Sequence, residues 1–235
     1  MTIIEAKNYE DLSIKAATVI AAQILKKPNS VLGLATGSSP VGTYQELVKM
    51  NKSGIIDFSE VKTVNLDEYI GLPPTDENSY YYFMKDNLFD HINIKKDSFH
   101  LPPGEDGNTE KNCDDYEKLI EAIGGIDLQL LGIGVNGHIA FNEPDSVFPP
   151  KTHVVKLAEE TIDANARFYK SRDEVPKTAI TMGIGTIMKA DSILLIASGS
   201  NKVEILEKAL QGPVTPEIPA SVLQYHNDLT VIFCK

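Results

Sequence analysis

The sequence predicts a three-layer α/β/α fold, a mainly parallel sheet covered by helices on both faces, and three observations lead there. Short, β-branched apolar runs recur along the 235-residue chain. Stretches with helical apolar periodicity separate those runs. No repeat, low-complexity tract or linker breaks the alternation, so residues 1–235 are expected to form a single domain.

The elements follow in order. Leu12 to Lys26 carries apolar residues on one helical face, and Val31 to Ala35 reads as a buried strand. Val41 to Met50 is helical, and Val61 to Leu66 is the next strand. Helices are expected over Ser79 to Phe89 and Asn112 to Ile123, then a strand over Asp127 to Leu131. Ile162 to Tyr169 reads as helix, Ser192 to Ala197 as strand, Lys202 to Leu210 as helix and Leu229 to Phe233 as a terminal strand. Phe99 to Leu101 and Lys151 to Leu157 have strand character but stand outside the main alternation.

Composition narrows the function. A hydrophobic content of 42% suffices for a full core. A net charge of -11 argues against nucleic acid or an anionic membrane as a general partner, though not against a small anion in a local pocket. The opening MTIIEAKNYEDL has neither a basic start nor an apolar run, and no apolar stretch approaches the ~20 residues of a membrane helix. Cys113 and Cys234 form no CxxC pair, and the histidines show no ligand spacing, so no metal site or disulfide framework is expected. A cytoplasmic location fits these features. Of the 22 basic residues only Arg167 and Arg172 are arginine, both in one short segment. An arginine there can mark a place where planar, forked donors meet an anion.

Ligands of open parallel sheets sit beyond the carboxyl ends of the strands. Four such ends carry chemistry: Thr36-Gly-Ser-Ser-Pro, Asp67-Glu-Tyr, Gly132-Ile-Gly-Val-Asn-Gly-His, and Ser198-Gly-Ser-Asn-Lys. Gly132 to Gly137 matches the dinucleotide pattern GxGxxG, but Pro144, Pro149 and Pro150 follow too soon for the helix that pattern must open. The fold is therefore Rossmann-like without a dinucleotide-binding motif, and no cofactor is expected. Gly37 to Thr43 has nucleotide-loop spacing but lacks the lysine that reaches the phosphates. Thr36, Gly37, Ser38 and Ser39 instead suit a simple phosphate cradle, with Ser39 capping a helix begun by Pro40. Lys202 sits at another helix start, where a cation opposes the dipole unless an anion is bound; with Arg167 it is a candidate phosphate clamp. Asp67 could be a general base, partial burial raising its pKa. His138 can exchange a proton near neutrality, with Glu143 to orient its ring and Asn136 as a neutral partner.

These residues resemble a glucosamine-6-phosphate deaminase. Asn65-Leu-Asp-Glu-Tyr-Ile-Gly-Leu72 and Gly137-His-Ile-Ala-Phe-Asn-Glu-Pro144 are similar to that family's signatures. So are Thr36-Gly-Ser-Ser-Pro40, Ala166-Arg-Phe168 and Gly199-Ser-Asn-Lys202, in the same order and spacing over nearly the whole chain. The related 6-phosphogluconolactonases resemble the second stretch only as far as Gly-His. The resemblance implies conversion of glucosamine 6-phosphate and water to fructose 6-phosphate and ammonia. It implies Asp67 as the base that moves the C2 proton to C1, and His138, helped by Glu143 and Asn136, as the group that opens the sugar ring. Gly37, Ser38, Ser39, Arg167 and Lys202 would hold the phosphate.

The sequence also departs from the family. Many members carry Asp where this chain has Asn136. Allosterically regulated hexameric members have basic residues near 153 and 155 and a longer tail, where this chain has His153 and Val155 and ends at Lys235. A monomer or small homo-oligomer follows, with weak or no activation by N-acetylglucosamine 6-phosphate. The segment 161–176, which carries Arg167, is a candidate lid. Two other readings compete: a lactonase or aldose–ketose isomerase acting on another sugar phosphate, and a sugar-phosphate sensor that keeps the cradle and loses the acid–base groups.

Overall fold

A computed structural model describes residues 1–104, 109–159, 162–163, 166, 169 and 171–235. The chain begins with β1 (Thr2–Glu5), α1 (Tyr9–Lys26), β2 (Val31–Leu34), α2 (Val41–Lys52), β3 (Lys62–Asn65), β4 (Asp67–Tyr69) and α3 (Tyr80–Asn87). It continues through β5 (Phe99–His100), α4 (Thr109–Ala122), β6 (Leu128–Leu131), β7 (His153–Lys156), β8 (Thr178–Thr181) and α5 (Ile184–Ile187). It closes with β9 (Ser192–Ser198), α6 (Val203–Gln211) and β10 (Leu229–Cys234).

Seven strands form one wholly parallel sheet in the order β1-β10-β9-β6-β2-β3-β5. Helices flank it, as the alternation predicts. Every residue of β2 and of β6 is buried, the mark of strands covered on both faces. The remaining three strands, β4-β8-β7, make a small antiparallel sheet. There β7 alternates half-buried and exposed residues, because one face of that sheet is open.

Several elements differ from the sequence reading. Phe99–His100 is an edge strand of the main sheet, and His153–Lys156 belongs to the small one. Strands β1, β4 and β8 and the single turn α5 were not expected. All four are short, and a run of three or four residues shows no period to read. The expected helix over 162–169 falls on a stretch whose residues 164, 165, 167 and 168 lie outside the described set.

The sheet reverses its order beside β2. From β2 the chain moves outward through β3 and β5 on one side, and through β6, β9 and β10 on the other. The crevice between the ends of β2 and β6 is thus the topological switch point, the place where open parallel sheets bind ligands. Deeper between the same strands, Gln129 of β6 lies over Gly33 of β2. A methyl group on Gly33 would stand 2.0 Å from Gln129 Oε1. The amide nitrogen of Gln129 donates to the Leu130 carbonyl at 2.8 Å, whereas its Oε1 is buried with no partner among the described residues.

Candidate active site

Beyond the ends of β2, β3 and β6 lies a cavity of about 240 Å³. Thr36, Gly37, Ser38 and Ser39 line it after β2, Asp67 after β3, Gly134, Asn136 and His138 after β6, and Lys202 after β9. Nine of the ten residues singled out from sequence are described. Eight of them line the cavity, and Glu143 stands behind His138. The tenth, Arg167, lies outside the described residues, as does part of the candidate lid. Arg172 pairs at the surface with Asp163 and Glu159.

Asp67 occupies the seam of the two sheets. Leu66 donates its N–H to Leu34 of the main sheet, while its carbonyl accepts from Met182, and the chain then turns into β4. This puts the Asp67 carboxyl, only 6% exposed, at the cavity wall. Burial, reinforced by the neighbouring Glu68 charge, pushes its pKa up to about 8. Glu68 points the other way. Its Oε1 accepts from the N–H groups of Tyr69 and Tyr80, and its Oε2 from that of Tyr81, each at 2.9 Å. Burial raises Glu68 to about 7, with those N–H groups pulling against it. The carboxyl clamps the first turn of α3 to β4 and so sets Tyr80, which lines the cavity beside Phe141.

The loop after β6 is built around His138. Gly134 donates its N–H to the His138 carbonyl at 2.9 Å, and the imidazole packs directly on Gly134. A Cβ on Gly134 would lie 2.2 to 2.4 Å from three ring atoms. Gly137 turns the loop at φ +88, where a side chain would also meet Ile218 at 2.7 Å. Ala140 takes φ 53, a left-handed conformation uncommon for alanine. Asn142 fixes the far end by donating to the carbonyls of Ile139 and Met182.

Glu143 Oε2 lies 3.2 Å from His138 Nδ1 and accepts from Asn136 Nδ2 at 2.8 Å. Asn136 Oδ1 in turn accepts the His138 backbone N–H at 3.2 Å. A carboxylate oxygen at Nδ1 holds the ring proton there and leaves Nε2 as the acceptor. Asn136 thus bridges both partners of the pair, a use that its neutral amide serves better than a second carboxylate.

On the phosphate side, Ser39 does not cap α2. Pro40 itself takes the capping position, so the helix begins one residue later and the Ser39 hydroxyl is left to face the cavity. Lys202 caps α6 rather than lying in its first turn, and its ammonium reaches across to the Ile133 carbonyl at 2.8 Å. Sequence reasoning missed Tyr80 and Phe141 as wall residues. Ser79 is a usable helix-start signal for the first, since it caps α3 through the Tyr82 N–H. Among the described residues no helix is long and apolar enough to cross a membrane.

The chain is similar to known proteins over its whole length. A glucosamine-6-phosphate deaminase of Lachnoclostridium phytofermentans is 59% identical, across 100% of this chain and 99% of its own length. The solved structure of a monomeric glucosamine-6-phosphate deaminase superposes with a TM-score of 0.98 at 46% identity, covering 100% of this chain and 98% of that one. The 6-phosphogluconolactonase of Thermotoga maritima shares the fold at a TM-score of 0.75 and 17% identity, covering 99% of this chain and 98% of its own. The family model described as glucosamine-6-phosphate isomerases/6-phosphogluconolactonase matches residues 5–232, and the chain belongs to that family.

Proposed function

We propose that this chain, acting as one domain, converts glucosamine 6-phosphate and water to fructose 6-phosphate and ammonia. It is then a hydrolase of a carbon–nitrogen bond in cytoplasmic amino-sugar breakdown, working as a monomer or small homo-oligomer. The observation that carries the reading is the pairing, in one cavity, of a buried carboxyl poised near pH 8 with an imidazole backed by a carboxylate.

The roles follow from the chemistry. His138 Nε2 accepts the O1 proton of the cyclic sugar and returns a proton to the ring oxygen, opening the ring to the aldehyde. Glu143 and Asn136 hold the imidazole in the tautomer this needs. Asp67 then takes the C2 proton while the C1 oxygen takes one from the substrate's own C2 ammonium, giving a 2-amino-enol. The same carboxyl delivers its proton to C1, which leaves an iminium at C2. Water adds there and ammonia departs, giving the ketose. Thr36, Gly37, Ser38, Ser39, Lys202 and Arg167 hold the phosphate, whose binding orients C1 and C2 between the two groups.

The deciding assay supplies glucosamine 6-phosphate and measures ammonia and fructose 6-phosphate together. Equal amounts of both are expected. Substrate that binds without releasing ammonia would overturn the reading in favour of a sensor.

A further inference from the structure

A loop that receives a phosphate has to aim its N–H groups at the anion and its carbonyls away from it. In this chain one side chain outside the cavity holds two carbonyls of the candidate loop. Tyr9, the first residue of α1, sets its hydroxyl 3.0 Å from the Ser38 carbonyl and 3.1 Å from the Ser39 carbonyl. The same oxygen accepts the Gly42 N–H at 2.9 Å. Its single proton is shared by the two carbonyls, and a lone pair takes a first-turn donor of α2. A trans peptide points its carbonyl and the following N–H in opposite directions, so holding the Ser38 carbonyl on Tyr9 turns the Ser39 N–H away from it. Ser38 and Ser39 line the cavity and Tyr9 does not.

The fit is specific. Ser13 Oγ donates to the Tyr9 carbonyl at 2.7 Å, and a methyl group on Gly42 would lie 2.3 Å from that Oγ and 3.0 Å from the Tyr9 ring. The start of α1 therefore docks into a notch that glycine leaves at the start of α2. Gly42 is thus needed for room rather than for an unusual backbone angle.

We propose that Tyr9 is a positioning residue of the phosphate cradle, bracing Ser38 and Ser39 from behind so that the loop is set before the anion arrives. The inference rests on reading Thr36 to Ser39 as that cradle. It predicts a selective defect. Tyr9→Phe keeps the ring and removes the brace, and the loss of one well-placed hydroxyl is worth about fivefold in affinity. In the reverse reaction KM for fructose 6-phosphate should rise by about that factor, with KM for ammonia and kcat held. An unchanged KM for fructose 6-phosphate overturns the proposal. So does an equal rise for ammonia, or a joint fall in kcat and Tm, since either means a general structural role.

Calorimetry with inorganic phosphate makes the same comparison without turnover. A wild-type chain that binds phosphate but releases no ammonia refutes the deaminase reading, and the ratio of its phosphate affinity to that of Tyr9→Phe still decides the brace. A wild-type chain that binds no phosphate overturns the cradle and the brace with it, while ammonia release still decides the deaminase reading.

Discussion

Asp67 is costly where it stands. A carboxyl with a folded pKa of about 8, against an ordinary value near 3.8, holds a proton that the unfolded chain has already released over that whole interval. The folded state is then the better proton binder, so stability falls as pH rises through the window. Glu68, raised to about 7, adds to the same slope. Two outcomes follow for Asp67→Asn. Its Tm should exceed that of the wild type, by more at pH 8 than at pH 5, at roughly 2–4 °C for each kcal/mol relieved. Its deuterium exchange at substrate C2 should vanish while substrate affinity is largely kept. Retained exchange would mean that another group is the base. In the wild type kcat/KM should climb with pH towards about 8, as the carboxyl ionises to become a base.

At the scale of elements, two short segments hold the chemistry in place. The loop after β6 has no room for a side chain at Gly134, because the His138 ring fills it. Gly134→Ala should cut kcat by about a hundredfold, the scale of a misplaced catalytic group, with circular dichroism unchanged. A fully active variant would show that the imidazole is free to relocate. The start of α3 depends on Glu68, which satisfies three backbone N–H groups. In Glu68→Gln an amide nitrogen replaces one accepting oxygen, and stability should drop by about 1–3 kcal/mol in urea unfolding with an unchanged m value. The fraction of these elements legible beforehand has a physical explanation. Long periodic helices such as α1, and fully buried strands such as β2 and β6, announce themselves by pattern. Asp67, His138 and the Thr36–Ser39 turn stood out because they follow such strands. Tyr80 did not, because it reaches the cavity through the Glu68 clamp, a contact between residues 12 apart that no local pattern encodes. Tyr9 was equally invisible, since its hydroxyl meets a loop 29 residues away.

For the whole molecule, the small antiparallel sheet is where regulation would enter. His153 and Val155 lie on β7, at the positions where resemblance places the basic residues of allosteric relatives. Saturation by glucosamine 6-phosphate should be hyperbolic, and N-acetylglucosamine 6-phosphate should leave KM unmoved; a clear shift on adding it would contradict this. Sedimentation should give the proposed monomer or small homo-oligomer, and a hexamer would contradict it. The seven-stranded sheet constrains the molecule differently, through the pair formed by Gly33 and Gln129. Alanine at 33 collides with the glutamine while it remains, and a smaller residue at 129 alone leaves a void over the glycine. The two positions are therefore coupled, and substitutions at them should be non-additive in stability. Gly33→Ala made together with Gln129→Leu would put packed carbon at the centre of the sheet, where the glutamine now holds a buried acceptor with no partner among the described residues.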